Sequence, residues 1–395
     1  MTALSETDML ALVDGAKRVF LLEPDYRRKY PPLGLMKIAS RVRARGGVVK
    51  YGRHYLGEKC DLICVTSLFT YESPKVIQAV RQALALGNGT PVIVGGIYAS
   101  LMRKHLLENT EGKALVFSGY SRELDMSIPD YDSIDWKVEK PWDDFSFVFT
   151  SRGCTNKCAY CAVPRIEAKR WVNPIWREHI VDSKPNVIVG DNNILACGKH
   201  AGDVIGHLSA KGKGVVIDSG VEAKLITKET AALLAALQFK QAGLRLAFDR
   251  VEEDREYRDA LAELLRAGVS SSHMMTFVLF NFLDTPREAD YRMRVTYAHH
   301  VRPFPQRYQR LNQTTRAGGY VGKHWTHRLA CEFRVFWTRP EGIKKGSLFE
   351  SFMKKRRRAL GFTDEDFAKW DLEKDRWDTR PWWEMRETLN AEGLS

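Results

Sequence analysis

The chain has no apolar run approaching the ~18–20 residues that span a bilayer, so no membrane segment is expected. Its first stretch, Met1 to Asp14, carries Glu6 and Asp8 and lacks a basic segment followed by an apolar one. It does not read as a secretory leader, and the expected location is the cytoplasm. There is no internal repeat and no low-complexity tract, which argues against a repeat array or a disordered chain. Cysteine is sparse and odd in number, at seven. In a cytoplasmic chain that argues against a disulfide framework and for metal binding or catalysis wherever cysteines cluster. Cys60, Cys64, Cys197 and Cys331 are scattered through mostly apolar surroundings and read as small buried hydrophobes.

What is present is an ordinary globular composition, 44% hydrophobic and 28% charged, over 395 residues. That length buries a substantial core and suits two or three domains. The net charge is +12. A basic protein attracts polyanions, so nucleic acid or a phosphorylated substrate is a natural partner; the competing reading is a merely soluble basic surface.

Apolar runs of strand length alternate with helical periods. Residues 17–23, 48–51, 61–67, 91–94 and 114–117 read as strands, apolar on both faces as in a covered parallel sheet. Helices are expected over 34–45, over 73–86 with Ser73 as cap and Pro74 at the first position, and from 97 to about 107. The acidic stretch 121–144, with Pro129 and Pro141, reads as a linker. Alternation resumes with strands at 145–150, 186–189, 214–218, 244–248, 275–280 and 303–309 and a clear helix at 228–239. Six such units describe an open or partial barrel whose chemistry sits at the carboxyl ends of its strands. Beyond residue 311 the pattern decays. That tail holds six of the ten tryptophans and the basic run Lys354-Lys355-Arg356-Arg357-Arg358. These read either as a stacking and polyanion surface or, for most of the tryptophans, as packing.

One stretch organises the rest: Ser151-Arg152-Gly153-Cys154-Thr155-Asn156-Lys157-Cys158-Ala159-Tyr160-Cys161. Three cysteines are spaced C-x3-C-x2-C, with an aromatic before the third, directly after a predicted strand. Three thiolates hold three irons of a 4Fe-4S cluster and leave the fourth open. The competing reading is a zinc knuckle with a distant fourth ligand, Cys197 or a histidine, although zinc sites favour paired C-x2-C arms. On this motif the chain resembles the radical S-adenosylmethionine superfamily across residues 145 to about 310. The resemblance implies that Cys154, Cys158 and Cys161 bind the cluster and that S-adenosylmethionine chelates the open iron. It further implies that an electron cleaves this cosubstrate to a 5′-deoxyadenosyl radical, in an oxygen-sensitive enzyme fed by an electron donor such as flavodoxin or ferredoxin. The cofactor carries the hard chemistry and the protein orients it.

The same resemblance implies further cosubstrate contacts. Asp191 and Asn192, after the second barrel strand, would accept from the methionyl amino group; ordinary turn chemistry is the alternative. Ser219, Glu222 and Lys224, after the third strand, would meet the ribose and the carboxylate, with lysine where relatives carry arginine; for Glu222 and Lys224 a surface ion pair is the alternative. Asp249 or Arg250 would line the pocket after strand four, and Arg310 and Asn312 its mouth. Asn281 stands where relatives often place glycine.

Residues 17–120 resemble the cobalamin-binding-like domain that precedes many radical enzymes. The resemblance rests on Tyr30-Pro31-Pro32-Leu33-Gly34-Leu35, Val92-Ile93-Val94-Gly95-Gly96 and Ile128-Pro129-Asp130-Tyr131-Asp132. The motif D-x-H-x-x-G, in which histidine ligates cobalt, is absent, and His54 and His105 lack that context. Val163-Pro164 resembles the methylthiotransferase branch, which modifies transfer RNA, yet no second-cluster motif is present.

The expected fold is therefore α/β: a Rossmann-like parallel sheet (1–120), a linker (121–144), a partial (β/α)6 barrel (145–315) and a basic, Trp-rich C-terminal region (316–395). The expected function is a radical S-adenosylmethionine enzyme acting on a nucleic-acid base or nucleotide-derived compound. The alternatives are a cobalamin-dependent radical methyltransferase of a small metabolite or peptide, and a zinc-stabilised nucleic-acid-binding protein without enzymatic activity.

Overall fold

The structure, a computed structural model, describes residues 4–27, 30–135, 142–315, 319–339 and 344–391. Pro141 and residues 136–140 of the expected linker lie outside the described residues. The chain divides into two compact units, residues 1–187 with 310–319, and residues 188–309 with 320–395.

In the first unit, β1 (Arg18–Leu22), β2 (Val48–Gly52), β3 (Leu62–Ser67), β4 (Val92–Gly96) and β5 (Leu115–Val116) form one parallel sheet in the order β2-β1-β3-β4-β5. The strands read as continuous apolar runs because both faces are covered. Phe20, Leu22, Ile63 and Val65 pack on one side with Val76 and Val80 of the helix Ser73–Leu86. Val19, Leu21, Leu62 and Cys64 pack on the other with Leu35, Ile38 and Val42 of the helix Leu33–Arg43. Period-two alternation along each strand thus feeds two cores. Cys64 is the small hydrophobe expected, and burial pushes its thiol up to about 12. The chain runs outward from β1 to β2 and returns on the other side at β3, so the sheet changes direction between β1 and β3. In open α/β sheets that point, at the carboxyl ends of the strands, is where ligands bind.

After this sheet come β6 (Phe145–Val148), the short β7 (Ser151–Arg152) and β8 (Trp171–Val172), and β9 (Asn186–Val189), inside which the two units divide. The second unit continues with β10 (Gly214–Val221), β11 (Gln238–Ala247), β12 (Met274–Phe280) and β13 (Arg302–Arg307). Its strands follow the order β13-β12-β11-β10-β9, and β10 through β13 pair in parallel. With β6, they match in number and sequence the six strands expected of the partial barrel. In the tail, Trp325, Trp337 and Trp370 are buried in a cluster with Phe333, Phe336 and Phe349, against Val278 and Phe280 of β12. The basic run lies exposed on the helix Phe349–Leu360.

Three local expectations are corrected. Ser73 does not cap its helix: Glu72 holds the cap position without a side-chain bond, and the Ser73 hydroxyl donates instead to the Thr314 carbonyl at 3.2 Å. The helix expected from residue 97 to 107 is two, Ile97–Leu101 and Arg103–Asn109, because Met102 leaves helical geometry. The helix expected to reach residue 239 ends at Ala235, and Phe239 already lies in β11. That strand is longer than its apolar part because Ala242 takes φ 53° and the pairing with β10 shifts register there. A bulge of this kind breaks the alternation by which a strand is read.

Candidate active site

The cysteine loop leaves and re-enters through a two-residue antiparallel ladder, Ser151 opposite Val172 and Arg152 opposite Trp171. Between these strands the chain turns out at Gly153, with φ 78°. A Cβ there would meet the Lys169 carbonyl at 3.0 Å and the Arg170 Cα at 3.1 Å, so only glycine fits this neck. Within the loop, Cys154, Cys158 and Cys161 are half-buried. The Cys154 sulfur accepts from the Asn156 amide at 3.3 Å, and the Cys161 sulfur from the Val163 amide at 3.4 Å. Amide donors to sulfur and partial burial are the levers by which a protein tunes an iron–sulfur cluster, so this donor set fits one. Among the described residues no three His, Cys, Asp or Glu side chains gather on a single metal ion. The ligands of a 4Fe-4S cluster each bind a different iron and need not do so.

The neck is held by a buried ionic network. The Arg152 guanidinium donates to both oxygens of Asp125, at 2.7 and 2.9 Å, and to Glu167 at 3.1 Å. It also lies 3.5 Å from the centre of the Phe149 ring, a stacking that guanidinium tolerates and ammonium does not reproduce. The other oxygen of Glu167 accepts from the Gly153 amide at 2.8 Å. Lys37, on the helix Leu33–Arg43, donates to Asp125 at 2.6 Å. Buried Asn173 donates to the Asp125 carbonyl at 3.0 Å. Burial works against the Asp125 carboxylate, but Arg152 and Lys37 outweigh it and hold its pKa below the ordinary value. His179, fully buried, has no hydrogen-bond partner on either ring nitrogen among the described residues. Burial, helped by the Lys37 charge, pushes its pKa down to about 4, so the ring is neutral.

All four charged members of this network line a cavity of about 250 Å³ at the carboxyl edge of the first sheet, with Thr66, Gly95, Gly96 and Tyr120. Neither His54 nor His105 is among its lining residues; the His105 ring is bonded to the Tyr98 hydroxyl at 2.7 Å. Gly96 also serves packing: at φ 107° its Cβ would lie 2.4 Å from the Ser67 carbonyl of β3.

The remaining residues expected at the site belong to the second unit. Asp191 is buried and Asn192 half-buried after β9. The next residue, Asn193, which the sequence reading passed over, donates to Glu222 at 2.9 Å and ties the loop after β9 to the loop after β10. The other Glu222 oxygen pairs with Lys224 at 2.5 Å. Half-buried Ser219 lies near the end of β10, next to Asp218, whose carboxylate pairs with Arg245. Asp249 accepts from the Leu279 amide at 3.1 Å and so joins the end of β11 to β12. Asn281 takes φ 66°, the left-handed conformation for which glycine is otherwise the default. Its buried amide donates to the Tyr320 carbonyl at 2.9 Å and accepts from Gly322 at 3.0 Å. Asparagine here does what glycine does for the backbone and adds a bracket for residues 320–322. Arg310 and Asn312 follow β13, in the short stretch 310–319 assigned to the first unit.

No family model and no curated protein matches the chain. Among solved structures it is similar to a radical S-adenosylmethionine methyltransferase, TsrM, from Kitasatospora setae, with cobalamin and a 4Fe-4S cluster bound. The identity is 13% over 76% of this chain and 77% of that one, with a TM-score of 0.57. The structure of TsrM from the same organism with tryptophan substrate and the S-adenosylmethionine analogue aza-SAM is similar at 13% identity over 75% of each chain, with a TM-score of 0.55. At this identity the likeness shows the fold: a Rossmann-like parallel sheet followed by a partial barrel, as the alternation of strands and helices implies.

Proposed function

We propose that this protein is a radical S-adenosylmethionine enzyme whose 4Fe-4S cluster is held by Cys154, Cys158 and Cys161. The observation that carries the reading is the C-x3-C-x2-C loop on a fold shared with a radical S-adenosylmethionine methyltransferase. When bound, the cluster supplies the electron that cleaves S-adenosylmethionine to a 5′-deoxyadenosyl radical. The chain's own residues position and shield. Gly153 and the short ladder shape the neck of the loop, and the amides of Asn156 and Val163 donate to two of the sulfurs. Asp191, Asn192, Ser219, Glu222, Lys224 and Asp249 serve the cosubstrate: carboxylate and amide oxygens accept from its amino and hydroxyl groups, and Lys224 neutralises its carboxylate. A zinc-stabilised binding protein is the reading this displaces.

For the substrate, the net charge of +12 and the exposed run Lys354–Arg358 favour a nucleic-acid base or nucleotide-derived compound. A second reading, cobalamin-dependent methylation of a small metabolite or peptide, is favoured by the cobalamin in the similar methyltransferase. The cavity beside Gly95, whose lining residues include no histidine, supports it as a place where part of such a ligand would bind.

Anaerobic reconstitution with iron and sulfide, followed by reductant and S-adenosylmethionine, is expected to yield 5′-deoxyadenosine. Cys158→Ala is expected to abolish both the cluster absorbance and the product. Zinc in place of iron, or an intact cluster that leaves S-adenosylmethionine untouched, would refute the reading. Protein purified with cobalamin supplied separates the substrate readings by its corrin absorbance.

A further inference from the structure

The network around Arg152 includes none of the three cysteines, yet it is tied to both ends of their loop. Two cations and two carboxylates, Lys37, Arg152, Asp125 and Glu167, are gathered with side-chain exposures of 4%, 13%, 5% and 11%. Removing charges from water costs several kcal/mol per ion, so such a group persists only where geometry is well satisfied. Here it is. Arg152 stands two residues before Cys154 and Glu167 six residues after Cys161, so the pair spans both ends of the loop. Glu167 also binds the Gly153 amide, and Asp125 anchors Arg152 to a helix of the first sheet through Lys37. The charges sum to zero at the loop's neck.

From this geometry we infer that Lys37, Arg152, Asp125 and Glu167 are positioning residues of the cluster: a charge-neutral clasp that closes the neck of the cysteine loop and sets the cluster's reduction potential. The inference rests on the cluster reading proposed above. It has a signed consequence, because a fixed charge beside a redox centre favours the oxidation state of opposite charge, and the low local dielectric strengthens the effect. Neutralising a carboxylate leaves the clasp net positive and makes the cluster easier to reduce. Neutralising the guanidinium leaves it net negative and makes the cluster harder to reduce. A clasp that merely stabilised the fold would move stability in both cases and the potential in no consistent direction.

The test uses the full-length reconstituted protein, with the midpoint potential read by electron paramagnetic resonance during a mediated titration and cluster loss read as iron release to a chelator. Glu167→Gln and Asp125→Asn, which keep shape and an acceptor oxygen, are expected to raise the potential. Arg152→Gln is expected to lower it, and Arg152→Lys to restore the wild-type direction. Iron release is expected to quicken several-fold in the three charge-removing variants. Should Arg152→Gln fail to fold, the two carboxylate variants still decide by their common sign. Potentials and release rates equal to wild type in folded, iron-loaded variants, or shifts of the same sign for carboxylate and guanidinium removal, would overturn the clasp and leave the cluster reading standing. A wild-type protein that takes up no iron and sulfide would overturn both.

Discussion

Arg152 in the first unit and Arg292 in the second are both largely withdrawn from water, and they do different work. Arg292 in the second unit is fully enclosed, 0% exposed, and donates to the carbonyls of Phe248 and Leu279 at 2.9 and 2.8 Å and to Asp284 at 2.9 Å. It staples the carboxyl ends of β11 and β12 and, through Asp284, the loop that follows β12. Arg152 in the first unit keeps 13% of its side chain exposed, lines a cavity and grips a loop by side-chain carboxylates. A buried cation alone therefore does not mark a site. What distinguishes the two is what they hold: Arg292 ties two strand ends to Asp284, whereas Arg152 is bound by Asp125 and Glu167 at the neck of the cysteine loop.

Arg292→Met is expected to give the largest effect. It strands the Asp284 carboxylate and two carbonyls, and loss of one member of a buried pair costs about 3–5 kcal/mol. Chemical denaturation would measure it, with iron uptake by the folded fraction unchanged; loss of iron uptake in folded protein would mean that Arg292, like Arg152, serves the cysteine loop. Gly153→Ala comes next. A strained backbone conformation costs about 1–3 kcal/mol, and here the Cβ also presses on backbone at 3.0 Å. The expected signature is a modest fall in melting temperature with a large fall in bound iron, the reverse of Arg292→Met.

Acid should probe both units. His179 in the first and His299 in the second are buried, each with its pKa pushed down from 6.5 to about 4, mainly by burial. Their folded-state values lie below the unfolded ones, so the associated stability is complete above about pH 6.5 and lost as the pH falls towards 4. At pH 5 each contributes roughly 2 kcal/mol of that loss. His179→Phe is expected to flatten the curve of melting temperature against pH between 7 and 5; an unchanged slope would mean that His179 takes up its proton in the folded protein as readily as in the unfolded. Lys224→Ala should be smallest. Its side chain is 59% exposed, and exposed pairs contribute at most about 1 kcal/mol. A marked loss of S-adenosylmethionine affinity with unchanged stability would show that the Glu222–Lys224 pair serves the cosubstrate, and unchanged affinity would make it a surface ion pair.

Much of the fold was legible because it is local. The strands of both sheets follow from apolar runs, and Asn186–Val189 coincides with its expected bounds. Boundaries failed where a tertiary contact overrode the local pattern. Ser73 looked like a cap but its hydroxyl is drawn to Thr314, and the bulge at Ala242 hid half of β11 behind an alanine-rich helix. At the site, the cysteine spacing was legible for the same reason: the three thiols lie in one short loop. Asn193 was missed because nothing in an Asp-Asn-Asn turn tells which amide will face Glu222, 29 positions on.

The chain's order of residues by itself determined the three thiols, their loop and the alternation of strands and helices, since each depends on neighbours within a few positions. The clasp was decided only in three dimensions. Arg152 meets Asp125 across 27 positions and Lys37 meets Asp125 across 88, and no local pattern distinguishes these from the chain's other ionisable side chains. Burial makes them matter: once folding removes water, a charge must find its partner, and the partner it finds depends on how the sheet and helices pack.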